Sequence, residues 1–309
     1  MSQANFTSGQ PTTYDHALWT GSARWRGILA IVLLIASFFV VSTLITVLAM
    51  TFQTSIGSTG SADLTTLTPV VLLSINLSIA AQWPIAVFLQ WCLFGVPPRW
   101  MSSVEGTFRW GWLGRLSLFL LPLYVAFAVL SLILTPLGPL RFDGSTIVLA
   151  VIVLLSTPLQ AAGEEFAVRG LVQRSISSWF HDTRAALFIS TGLSSLVFAI
   201  MHASPDGWRA GYYIAFGVAA SMAAWGTGGL EAAILIHSLN NLVILAPAAL
   251  TGGLEAHLDR GGSESGPLVL VPMAILLLAA LLSVWLAKRL RLVTRTRMQS
   301  NAKDAGGES

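Results

Sequence analysis

The chain has 309 residues, of which 54% are hydrophobic and only 10% charged. A soluble domain carries about 25% charged residues, so this chain cannot cover a globule with solvated side chains. Its formal charge of +3 is scattered over short segments, which argues against a nucleic-acid partner, and its single cysteine, Cys92, excludes an intrachain disulfide.

Residues 1–23 are polar and rich in Ser, Thr and Gln, a composition expected to give a disordered cytoplasmic tail. Gly27 to Met50 then holds no charged residue and is long enough to cross the ~30 Å hydrocarbon core as a helix. It starts after a long polar stretch and exceeds the apolar core of about 7–15 residues in a removable signal, so it reads as a retained first span. Comparable runs recur near 70–96, 116–140, 146–163, 185–203, 210–227, 229–250 and 267–287. The expected fold is an all-α polytopic membrane protein of about eight transmembrane helices around an intramembrane active-site cavity. Within the second span, Asn76, Gln82 and Gln90 are expected to bridge helices. Pro97-Pro98 ends that span, and the mixture of Phe108, Trp110 and Trp112 with Arg109 and Arg115 suits a helix lying at the interface. Pro158 is expected to kink the fourth span, and Gly163 to let another helix approach closely. The chain divides into four segments: the tail 1–23, a three-span segment 24–145 with its connector, a core 146–250, and the last span with a basic cytoplasmic tail, 251–309.

Basic residues report the orientation. With a cytoplasmic N-terminus, 14 of the 17 Lys and Arg fall in inside segments, and only Arg141, Arg209 and Arg260 fall outside. The positive-inside rule therefore places the protein in the cell membrane as a multi-pass protein with both termini cytoplasmic.

Ionisable groups at depth carry the functional signal. A charge in hydrocarbon costs several kcal/mol and usually marks function. Among the acidic residues only Glu164 and Glu165 lie within or beside an apolar helix away from its start, followed by Arg169; His202 and His237 are the histidines inside spans. Glu165 and Arg169 are i and i+4 in the order that favours a helical ion pair, which reads most simply as a structural salt bridge. Glu164 points about 100° away around the helix and is left as a candidate general base. His237 and Asn241 again share one helical face. Glu164 and His202 can activate a water, while His237 and Asn241 can donate to an oxyanion. Taken alone, His202 reads equally well as a satisfied core histidine. The depths of Glu164 and His202 agree only if the helix of Glu164 continues to about Ser178.

These residues resemble the motifs of a known family. Glu164-Glu165-Phe166-Ala167-Val168-Arg169 is similar to the EExxxR motif of the CPBP family, the CAAX prenyl proteases and bacteriocin-processing enzymes also called Abi proteins. Phe198 to His202 resembles its FxxxH motif, and His237 to Asn241 its HxxxN motif, in the same order and each on an expected span. The resemblance covers roughly residues 146–250. It implies an intramembrane endopeptidase acting on a membrane-associated protein or peptide, prenylated or bacteriocin-like. Glu164 and His202 would activate water, His237 and Asn241 would stabilise the oxyanion, and Glu165 with Arg169 would support them. Two His and a Glu (Glu164, His202, His237) would suit zinc, but the chain has no HExxH, and a metal-free glutamate mechanism is favoured. The alternative is a non-enzymatic membrane protein, either a small-solute or proton carrier or a bacteriocin-immunity scaffold. The expected partners are the substrate and the lipid bilayer, with no nucleic acid.

Overall fold

A computed structural model describes residues 11–18, 24–55, 67–255 and 266–296. Most of the loops expected near 53–69 and 252–267, and the tail beyond residue 296, lie outside the described residues.

The expected all-α polytopic fold is present. The helices are α1 (Arg24–Ser55), α2 (Pro69–Ala80), α3 (Gln82–Phe94), α4 (Trp110–Leu134) and α5 (Gly144–Glu165), the last continued by a π-helical stretch (Phe166–Gln173) and by α6 (Arg174–Ser177). Then come α7 (Thr183–Met201), α8 (Gly207–Thr227), α9 (Glu231–Thr251) and α10 (Leu270–Arg289). Taking α2 with α3 and α5 with α6 as single rods, seven are long and apolar enough to cross a membrane. The eighth, α8, is long enough but diluted by Gly, Tyr and Ser, and it buries a small-residue face of Gly217, Ala219, Ala220, Ala223 and Ala224. It packs against α7 and α10, and a Cβ on Gly217 would lie 2.6 Å from Ser195 Cα of α7. Lipid is the solvent of the outer faces: on α1, Ile28, Val32, Phe39, Leu44 and Leu48 stand exposed.

Three polar side chains of the second span do bridge helices. Asn76 donates to Ser156 Oγ of α5 at 2.7 Å, Gln82 accepts from Ser37 of α1 at 3.3 Å, and Gln90 accepts from Arg174 of α6 at 2.6 Å. Gly163 has the role expected of it. A Cβ there would lie 2.7 Å from Ala80 Cα and closer still to the Ile79 carbonyl oxygen, so only glycine lets α5 meet the α2–α3 junction. Gly163→Ala is expected to lower thermal stability in detergent by about 1–3 kcal/mol, as over-packing does; an unchanged melting midpoint would contradict the close approach.

Two expectations are corrected. The stretch before Trp110 is not an interfacial helix: Ser103 to Arg109 is turn structure, folded inward, with Ser103, Val104 and Arg109 buried. The cause is Glu231 at the start of α9. The Arg109 guanidinium binds it twice, Nε to Oε1 at 2.9 Å and Nη2 to Oε2 at 2.7 Å, its backbone N–H adds a third bond to Oε1, and Nη1 donates to the carbonyls of Thr227 and Val293. Residues 11–18 are likewise no disordered tail. Thr12–Thr13 pairs antiparallel with Arg295–Thr296, and Tyr14, Asp15 and Leu18 are buried. Tyr14 donates its hydroxyl to the Met101 carbonyl at 2.5 Å, and Arg174 donates to the Tyr14 carbonyl at 3.2 Å. Burial pushes the Asp15 carboxyl above its ordinary range. The strand pairing brings the first and last described segments to one end of the bundle.

Candidate active site

The long rod from Gly144 to Ser177 sets the site. Asp143 caps its start by accepting from Ser145 N and Thr146 N, and the rod runs unbroken through Pro158 to Ser177. The continuation to about Ser178 expected from the depth argument is therefore present, although as a π-helical turn followed by a short α-helix. At ~1.5 Å per residue, Glu164 lies about 20 Å from the Ser177 end, deep in the bundle. α5 packs on α9, which faces it with His237 and Asn241. Phe166, at the start of the π-helical turn, is held by Trp83 of α3, stacked at 4.8 Å.

Glu165, Arg169 and His237 form a buried line. Arg169 Nη1 donates to Glu165 Oε1 at 3.0 Å, and both side chains are at most 1% exposed. The same oxygen accepts from His237 Nδ1 at 2.7 Å. The pair is therefore more than a helical salt bridge, because Glu165 also orients the imidazole of another helix. With Nδ1 as donor to a carboxylate, Nε2 is the nitrogen that faces the site, and it lies 3.7 Å from Glu164 Oε2. The guanidinium of Arg169 sits 4.6 Å from the Phe198 ring centroid and 6.0 Å from that of Phe216, a cation–π arrangement that partly replaces lost hydration.

Glu164 is held from the other side. Gln160, one turn upstream, donates its amide to Glu164 Oε1 and accepts at Oε1 from Asn241 Nδ2 at 3.4 Å. Asn240 donates to Tyr212 Oη of α8 at 2.7 Å and to Asn241 Oδ1 at 3.3 Å. Glu164 is 13% exposed, and its Oε2 has no hydrogen-bond partner among the described residues.

His202 joins through an aromatic wall. It caps the C-terminus of α7, with Nδ1 2.8 Å from the Phe198 carbonyl and its ring stacked on Tyr213 at 3.9 Å. Phe198 lies between the two histidines, tilted on His202 at 4.5 Å and edge-on to His237 at 6.1 Å. The next residue, Ala203, has φ +46°, a left-handed conformation that non-glycine residues seldom adopt outside constrained sites.

The structure thus gathers Glu164, Glu165, Arg169 and His237 by direct polar contact, joins Asn241 to Glu164 through Gln160, and sets His202 beside them across Phe198. Gln160, Asn240 and Tyr212 were not anticipated. The signal for Gln160 was its i,i+4 spacing to Glu164 in an apolar span. Among the described residues no group of three His, Cys, Asp or Glu side chains is arranged to hold a metal ion.

Residues 145–243, roughly a third of the chain, match the family model described as type II CAAX prenyl endopeptidase Rce1-like. The matched segment runs from the start of α5 into α9 and contains Gln160, Glu164, Glu165, Arg169, His202, His237 and Asn241. The match supports a CPBP-family intramembrane protease. No curated protein and no solved structure matches the chain.

Proposed function

We propose that this CPBP-family segment makes the protein an intramembrane endopeptidase that hydrolyses a peptide bond of a membrane-associated substrate by a glutamate mechanism. The observation that carries the reading is the pairing of two carboxylates with one imidazole. Glu165 is neutralised by Arg169 and committed to His237, whereas Glu164 keeps one oxygen free of donors among the described residues.

Glu164 Oε2 takes a proton from water as the oxygen of that water adds to the scissile carbonyl carbon, with His202 assisting from the α7 side. The carbonyl oxygen becomes an oxyanion. Asn241 has a second amide hydrogen for it besides the one given to Gln160. His237 Nε2 donates to it only in the doubly protonated ring, whose Nδ1–H the Glu165 carboxylate accepts at 2.7 Å. Collapse breaks the C–N bond, and Glu164 returns its proton to the leaving amine.

The substrate class is that of the matched family: a lipid-modified protein whose C-terminus lies at the membrane. The orientation has both termini in the cytoplasm. The basic-residue bias supports the cytoplasmic side, and the pairing of Thr12–Thr13 with Arg295–Thr296 supports one side for both, which needs an even number of crossings, with α8 as the eighth. Purified protein in lipid vesicles is expected to cut an internally quenched, prenylated peptide with a CAAX C-terminus. Membranes carrying Glu164→Gln are expected to accumulate unprocessed substrates relative to wild type. No cleavage of the peptide together with identical membrane proteomes would overturn the reading.

A further inference from the structure

Gln160 is buried in the span of α5, and among the described residues both of its side-chain hydrogen bonds end on site residues. One is a donor bond to Glu164 Oε1 in its own helix; the other is an acceptor bond from Asn241 of α9 at 3.4 Å. A polar side chain kept in a span for packing alone would close on a backbone carbonyl or a neighbouring helix remote from the chemistry, as Asn76 does with Ser156 and Ser238 with the Ile234 carbonyl. Gln160 instead joins the base to the oxyanion donor.

We propose that Gln160 is a positioning residue for the hydrolytic reaction: its amide pins Glu164 Oε1 so that Oε2 faces the attacking water beside His237, and its carbonyl aims Asn241 at the same point. A glutamate has three side-chain torsions. Without the clamp its carboxylate samples rotamers that turn both oxygens from His237 Nε2, now 3.7 Å from Oε2. The clamp also sets the donor–acceptor sense of the local network. Because a carboxylate only accepts, the amide NH₂ of Gln160 must face Glu164, its carbonyl must face Asn241, and the NH₂ of Asn241 is thereby turned into the site. The consequence is one device that orients both halves of the reaction, proton abstraction and oxyanion stabilisation, from the turn upstream of the base. Asn240 and Tyr212 extend it to α8.

This inference rests on the endopeptidase reading, and one set of measurements separates the two. Wild type, Gln160→Met, Gln160→Asn, Glu164→Asp and the Gln160→Met/Glu164→Asp double variant are reconstituted in lipid vesicles and assayed with the quenched prenylated CAAX peptide. Gln160→Met keeps the length of the side chain and removes both hydrogen bonds. It is expected to lower kcat by about 10- to 100-fold, the range for a misplaced reacting group, with KM within about twofold and the thermal midpoint unchanged. In the Glu164→Asp background, where the shorter acid is already out of reach of the clamp, the same substitution is expected to cost about threefold or less. Should Gln160→Met fold poorly, Gln160→Asn keeps a buried amide on a stem too short for both bonds, and the same fall in kcat is expected. Wild-type kcat in folded Gln160→Met or Gln160→Asn overturns the proposal, as does an equal loss in both backgrounds. A wild-type protein that does not cut the peptide overturns the endopeptidase reading and this inference with it.

Discussion

Glu164→Gln is expected to lower cleavage by about 10²–10⁴-fold, the contribution typical of a positioned general base, while the protein still folds. The substitution preserves shape and keeps an acceptor oxygen for the Gln160 amide, so the contact within α5 survives. What it removes is the proton-accepting Oε2, which has no donor among the described residues and which faces His237 Nε2. A carboxamide nitrogen placed there donates toward the attacking water instead of accepting from it. Single-turnover cleavage of the quenched peptide measures the loss, and near-normal turnover by a folded Glu164→Gln protein would remove this residue from the chemistry.

Arg169→Met is expected to cost both fold and activity. The guanidinium is fully enclosed, bonded to Glu165 on one side and stacked on Phe198 on the other. Its loss leaves the Glu165 charge buried with only His237 to balance it, and breaking a buried pair costs about 3–5 kcal/mol. The imidazole then either keeps its bond to Glu165 with less charge compensation behind it or turns away. In both cases Nε2 leaves its place beside Glu164. Melting temperature in detergent and cleavage rate should therefore fall together. Double replacement of Arg169 and Glu165 by apolar residues of similar size is expected to recover much of the stability but none of the cleavage, because His237 stays unaligned. Full activity in that double variant would show that Glu165 does not position the histidine.

Much of this arrangement was legible in the sequence because hydrocarbon penalises charge: Glu164, Glu165, Arg169, His202 and His237 stand out against runs of Leu, Val and Ala. Their helical spacing already paired Glu165 with Arg169 and set Glu164 apart. It could not give Glu165 its second partner, since His237 lies 72 residues away and the contact depends on how α5 packs on α9. Arg109 was misread for the same reason. Beside Trp110 and Trp112 it looked like part of an interfacial helix, while its carboxylate partner, Glu231, is 122 residues further on. Residues 11–18 look polar by composition, yet Tyr14 and Leu18 find buried places against the end of the Glu164 rod and the loop before α4, a fit that no local pattern announces. Helix α8 was legible by length, although its small residues make it the least apolar of the set.

The π-helical turn between Phe166 and Gln173 makes the two ends of one rod answer to different registers. Each residue added to a helix without a compensating rise rotates all downstream side chains by about 100°. Upstream, the register is read by α9: Gln160, Glu164 and Glu165 must meet His237 and Asn241. Downstream, it is read by α3 and the N-terminal segment, through the bonds of Arg174 to Gln90 and to Tyr14. A strictly α-helical rod of the same length would satisfy one reader and rotate the other set of side chains out of phase. The widened turn thus works as a phase adjuster, letting the docking surface near the membrane boundary and the chemistry at depth be specified independently along a single continuous segment of chain.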